Sequence, residues 1–225
     1  MTKTLCILLT LLGLTGFIYA ENDFTPADQS LLFLPTAFTM EKGSSALTNF
    51  ELAIFQYSYA ITNRAHLSAA MVFPFHEEMI KTITVGAKVN YLQMDKLNSA
   101  INLTFNPHFR VLNIGNVVSY GDMDSSINCN IGITSQAEEV LTDNDDDSLI
   151  YGGIGYIHST SERVSLICEF DGGSSLKDPE LETLVALGIR FKGKWISWDL
   201  GGFRPTSEDV DDLIAIPFIK ATALF

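Results

Sequence analysis

Long apolar runs are nearly missing from this chain. The stretch LCILLTLLGLTGFIY, between Lys3 and Ala20, is the only one. No later window approaches the roughly 20 apolar residues that a transmembrane helix needs. A short basic start, an apolar core and a small residue before the acidic ENDF are the marks of a secretory signal. Residues 1–20 are therefore expected to be removed, leaving residues 21–225 as a single domain. Cysteine is scarce too, at three. With Cys6 inside the leader, only Cys129 and Cys168 remain, too few for a disulfide framework. Basic charge is the third deficit: 14 Lys and Arg stand against 27 Asp and Glu, a net charge of −13. Loss of Lys3 makes the remainder more acidic still. That balance excludes nucleic acid as a partner and excludes anchoring on anionic lipid headgroups.

What fills the chain instead is alternation with a period of two. In TITVGAKVNY, Ile83, Val85, Ala87, Val89 and Tyr91 share one face, and Thr82, Thr84, Gly86, Lys88 and Asn90 the other. In ETLVALGIRFK, Val185, Leu187, Ile189 and Phe191 oppose Ala186, Gly188, Arg190 and Lys192. INCNIGITS and VSLICEFD repeat the scheme, with Ile167 as an exception. Such segments are strands with one apolar and one polar face. Without an apolar helix, a membrane location requires a closed β-barrel, the other structure that satisfies its backbone inside lipid.

Twelve strands are expected, at 31–40, 45–60, 66–75, 80–93, 98–106, 110–120, 126–135, 148–159, 164–171, 182–192, 195–204 and 213–225. Pro35, in the middle of the first, removes a ladder donor and makes that strand the weak point. If it fails, ten is the next count that keeps both ends of the sheet on one side. The even-numbered connections are all short, whereas AEEVLTDNDDD, DGGSSLKDPEL and TSEDVDD, the longest and most acidic, fall at odd positions. Outer-membrane barrels share this asymmetry of short periplasmic turns and longer external loops. The final stretch AIPFIKATALF alternates up to Phe225, as a closing strand would, and its terminal Phe resembles the assembly signal of such barrels.

The stretches LPTAFTMEKGS, YSYAITNRAHLS, GIRFKGKWISWDLG and IPFIKATALF resemble small bacterial outer-membrane meander β-barrel proteins of poorly defined function. The resemblance implies an all-β, up-and-down antiparallel transmembrane barrel in the outer membrane, and it brings no catalytic residues.

Charged residues opposite the apolar faces are the site candidates. Lys88, Glu169, Asp171, Arg190, Asp199 and Lys220 are expected to line the lumen, either along a narrow water path or paired in a packed polar core. A Lys or Arg facing lipid at the midplane would cost about 2–4 kcal/mol. The acidic loop LTDNDDDS (141–148) offers oxygen ligands for Ca²⁺ but lacks the glycine and spaced glutamate of a helix-flanked calcium loop. His66, His76, His108 and His158 are present, yet no Ser lies in a G-x-S-x-G turn, and no zinc spacing or phosphate loop appears. No catalytic residue, metal or cofactor is expected. The glycines of GGIG (152–155) are expected to relieve crowding inside a barrel. Tyr57, Tyr59, Phe73, Phe75, Tyr91, Tyr120, Trp195, Trp198 and Phe225 lie near strand ends, where interface girdles form.

The expected function is thus a monomeric outer-membrane barrel, structural or a narrow passive channel, delivered to the barrel-assembly machinery by its last strand. The alternative is a secreted soluble β-barrel or β-sandwich holding a small apolar ligand. The two differ in which face of the wall is polar, and alternation alone is the same in both.

Overall fold

The computed structural model describes residues 29–73, 77–136, 148–177, 180–206 and 215–225. The expected leader, His76 and nearly all of the acidic 141–148 loop lie outside them.

Twelve strands follow one another: β1 (Ser45–Phe50), β2 (Ile54–Thr62), β3 (Ala65–Val72), β4 (Thr84–Gln93), β5 (Leu97–Asn106), β6 (Val111–Gly121), β7 (Ser125–Gln136), β8 (Leu149–Ser161), β9 (Val164–Ser175), β10 (Leu181–Phe191), β11 (Ile196–Pro205) and β12 (Ile216–Leu224). Each pairs with its sequence neighbours, and β12 pairs antiparallel with β1, closing an up-and-down barrel. Closure leaves no unpaired edge. The seam register runs from Ala46 opposite Leu224 to Phe50 opposite Lys220, and Ser45 and Phe225 exchange backbone hydrogen bonds of 2.7 and 3.0 Å.

The count of twelve arises differently from the expectation. Residues 31–40 are not a strand; only a single bridge, Ser30 to Pro35, forms there. The stretch 45–60 is instead two strands joined at 51–53, where Glu51 and Leu52 both have positive φ, 52° and 59°. Two successive left-handed residues make the tight turn whose twist suits a hairpin. Asn-Gly is the usual signal for it, and FELA carries none. The two differences cancel, so every later strand keeps its expected place.

The connections divide the barrel into a turn end (63–64, 94–96, 122–124, 162–163 and 192–195) and a loop end (51–53, 73–83, 107–110, 137–148, 176–180 and 206–215). A 3₁₀ turn, Glu77–Thr82, lies in the 73–83 connection.

Outward positions are apolar around the wall: Leu67, Val85, Val89, Ile101, Ile131, Ile154, Leu166, Leu187 and Leu200 are all exposed. Inward positions are mostly small or polar, with a few larger apolar side chains such as Ile157, Ile167 and Phe218 among them. On the twelve strands, the only outward Lys, Arg, Asp or Glu is Arg204, beside the loop end of β11. Tyr59, Tyr91, Tyr120, Tyr156, Phe191 and Trp198 point outward from the turn-end half of their strands. Cys129 and Cys168 are free and outward-facing; they lie on β7 and β9, with β8 between them.

Candidate functional site

The segment QSLLFLPTAFTM (29–40) has consecutive apolar residues where a half-buried strand would alternate, and Pro35 denies it a ladder. It folds back on itself: Leu31 N donates to Leu34 O (2.8 Å) and Thr36 N to Gln29 O (3.0 Å). The resulting loop fills the barrel. Leu31, Leu32, Ala37 and Met40 are wholly buried and Leu34 nearly so. Leu31, Leu32 and Leu34 cluster with Ile157, Ile167, Ala186 and Phe218 of the inner wall. The Phe33 ring sits 4.5 Å from Phe218 and 5.3 Å, edge to face, from Phe203. Ile167, the exception to the alternation of β9, is therefore an inward residue packed on this plug.

Glycines make room for it. A Cβ at Gly188 would stand 2.9 Å from Leu32 Cδ2, and one at Gly155 would meet the ends of Leu31 and Leu34. Two of the GGIG glycines, Gly153 and Gly155, thus face the plug.

A loop inside a barrel carries backbone groups that need partners, and the inner wall supplies them. The Glu169 carboxylate accepts hydrogen bonds from three successive amides, those of Leu32, Phe33 (3.0 Å) and Leu34 (3.3 Å). Arg190 Nη2 donates to the carbonyls of Ser30 (2.7 Å) and Leu31 (3.3 Å). Lys220 Nζ donates to the carbonyls of Leu31 and Leu32. Asp199 lies between these two cations, 2.8 Å from Arg190 Nε and 2.8 Å from Lys220 Nζ. Arg190 and Asp199 are partners across the β10–β11 register, and Asp199 and Lys220 across β11–β12. On the opposite wall Lys88 Nζ donates to the carbonyls of Gln29 and Phe38, both at 3.0 Å. Asn90 Nδ2 donates to Ala37 O, and Ala37 N donates to Ser119 Oγ.

The structure therefore places all six sequence candidates on the inner wall. Lys88, Glu169, Arg190, Asp199 and Lys220 are buried; Asp171 is half-buried, two residues beyond Glu169 towards the loop end. Four of them, Lys88, Glu169, Arg190 and Lys220, hydrogen-bond the plug, and Asp199 pairs with two of these. What the sequence did not disclose was the plug itself, together with Asn90 and Ser119. The broken alternation of LLFLP was the available signal.

Between the plug and the loop end lies a cavity of about 420 Å³, lined by polar side chains from β1 to β9. Among the histidines, His66 faces inward and is buried. His158, on the outer surface, has Nδ1 3.3 Å from Ser125 Oγ. Among the described residues no carboxylate hydrogen-bonds its other nitrogen, so the orienting group a nucleophilic pair requires is missing there.

No family model matches the chain, and no curated protein matches it in sequence. Solved structures similar to it are outer-membrane barrels. One is a loop L8 deletion mutant of OmpT, an outer membrane protein of Vibrio cholerae, with 14% identity, a TM-score of 0.44, and coverage of 76% of this chain and 62% of that one. Another is an anion-selective porin from Comamonas acidovorans, with 9% identity, a TM-score of 0.44, and coverage of 76% and 59%. A third is OccK11 from Pseudomonas aeruginosa, with 11% identity, a TM-score of 0.38, and coverage of 80% and 63%. The chain spans about three fifths of the length of these barrels. The chain is a closed, up-and-down, twelve-stranded antiparallel β-barrel, similar in fold to outer-membrane proteins.

Proposed function

We propose that this protein is a monomeric bacterial outer-membrane β-barrel with a structural or narrow passive-channel role, held closed by residues 29–40, and that it is not an enzyme. The observation that carries this is the polarity of the wall. Val85, Val89, Leu187 and Ile189 face outward, 40–61% exposed, while Lys88, Arg190, Asp199 and Lys220 face inward, 0–5% exposed. A soluble ligand-binding barrel needs the reverse arrangement. In water, so large an apolar exterior would drive association; against lipid it is the favoured surface. The aromatic residues near the turn end suit the membrane interface on that side. By the same reading the turn end faces the periplasm, and the assembly machinery takes hold at β12 and Phe225.

The test is fractionation of the envelope combined with mobility in SDS before and after boiling. A lipid-facing barrel stays with the outer membrane and migrates as a compact species that heating converts. A protein that washes out in buffer and shows no heat shift contradicts the proposal.

A further inference from the structure

The plug does not fill the lumen. Towards the loop end it leaves the cavity of about 420 Å³, whose floor is formed by Gln29, Ser30, Phe33, Leu34 and Pro35. That volume lies within the range of about 300–1,000 Å³ usual for small-molecule sites. Its walls are rich in neutral hydrogen-bonding groups: Gln56, Ser68, Asn102, Thr104, Asn113 and Asn130. Tyr151 contributes a hydroxyl, which donates to Asn113 Oδ1 at 2.5 Å, and Phe33 and Phe50 contribute apolar ring surface.

Four wall residues carry a buried polar atom without a hydrogen-bond partner: His66 Nδ1, Asn102 Nδ2, Asn130 Oδ1 and Asp171 Oδ2. Only two other described side chains do so, which concentrates the unmet capacity at this cavity. Buried polar groups are ordinarily paired, and exceptions call for an explanation. The unmet set mixes donors with acceptors. The charged groups at the wall, Lys88 and Asp171, are of opposite sign. A hydroxyl both donates and accepts, so a neutral molecule bearing several hydroxyls matches this wall, whereas an anion or a cation would match only part of it.

We infer that the cavity above the plug is a binding site for a neutral polyhydroxylated solute the size of a mono- or disaccharide. The site rests on the closed-channel reading, since the plug supplies its floor. Asn102 and Asn130 engage the hydroxyls, and Phe33, Phe50 and Tyr151 cover the apolar faces of the ring.

The experiment uses the full chain folded in detergent micelles, with folding checked by the β-sheet signal in circular dichroism. Glucose and maltose are titrated by calorimetry, with glutamate and putrescine as charged probes. Saturable binding of a sugar is expected, about tenfold weaker in Asn102→Leu and in Asn130→Leu and unchanged in the outward-facing Leu187→Ala. Folded protein that binds neither sugar saturably, or that prefers a charged probe, overturns the inference. The heat shift reads the membrane barrel separately. A folded, heat-modifiable barrel without sugar binding removes the site alone; sugar binding by a chain with no heat shift removes the membrane reading and leaves the site.

Discussion

Asp199 shows most directly what one residue does here. It is wholly buried and ion-paired to two cations, Arg190 and Lys220, which themselves hold the plug's carbonyls. Asp199→Asn leaves both cations in place without their counter-charge. Breaking a buried pair from one side costs about 3–5 kcal/mol, so this variant should lose stability on that scale in urea unfolding from micelles. Asp124 behaves differently. It lies in the 122–124 turn, largely exposed, where it accepts hydrogen bonds from Lys192 Nζ (2.7 Å) and Ser159 Oγ (2.9 Å). The Lys192 contact, with that of Ser159, holds its carboxyl below the ordinary value of 3.8. A depressed folded pKa contributes stability above the unfolded value and loses it as pH falls through the folded one. The stability difference between wild type and Asp124→Asn should thus be constant above about pH 5 and shrink under stronger acid. A difference that grows on acidification contradicts the assignment. With the Asp124 side chain 76% exposed, solvent screens the pair and keeps its contribution small.

Among the elements, the strands were legible because a wall with an apolar outer face and a polar lumen face must alternate. TITVGAKVNY and ETLVALGIRFK each state both faces. Inward placement of Lys88 and Arg190 was legible on the same ground. The 51–53 turn was not, since Glu51 and Leu52 are poor residues for a left-handed conformation and carry no turn signature. The surrounding ladder imposes it: Ile219 N donates to Glu51 Oε1 at 2.8 Å, and Glu51 N donates to Ile219 O at 2.9 Å. A left-handed L-residue costs roughly 1–2 kcal/mol, partly offset by the larger unfolded entropy of glycine. Leu52, exposed at the tip, should therefore gain about 0.5–1 kcal/mol of stability on replacement by Gly; a loss of stability would show that the turn is unstrained. The plug was hidden for another reason. Its partners, Glu169 and Lys220, are more than a hundred residues away in sequence, and side-chain bonds to irregular backbone have no period to detect.

At the scale of the whole molecule, the barrel is an inverted protein: apolar groups meet the outside and a charged network sits within. The network is used on the chain's own backbone. Glu169, Arg190 and Lys220 supply the plug's amides and carbonyls with the partners that water would otherwise provide, and Gly153, Gly155 and Gly188 leave space for its leucines. On the proposed reading, a closed lumen follows from the same residues that make the inside polar. The most direct test of this account is ion conductance across a planar lipid bilayer, comparing the full chain with a variant lacking residues 29–36. The account predicts a wild type that inserts and stays closed, and a deletion variant that inserts and conducts steadily. Equal conductance from the two proteins, or insertion by neither, would contradict it.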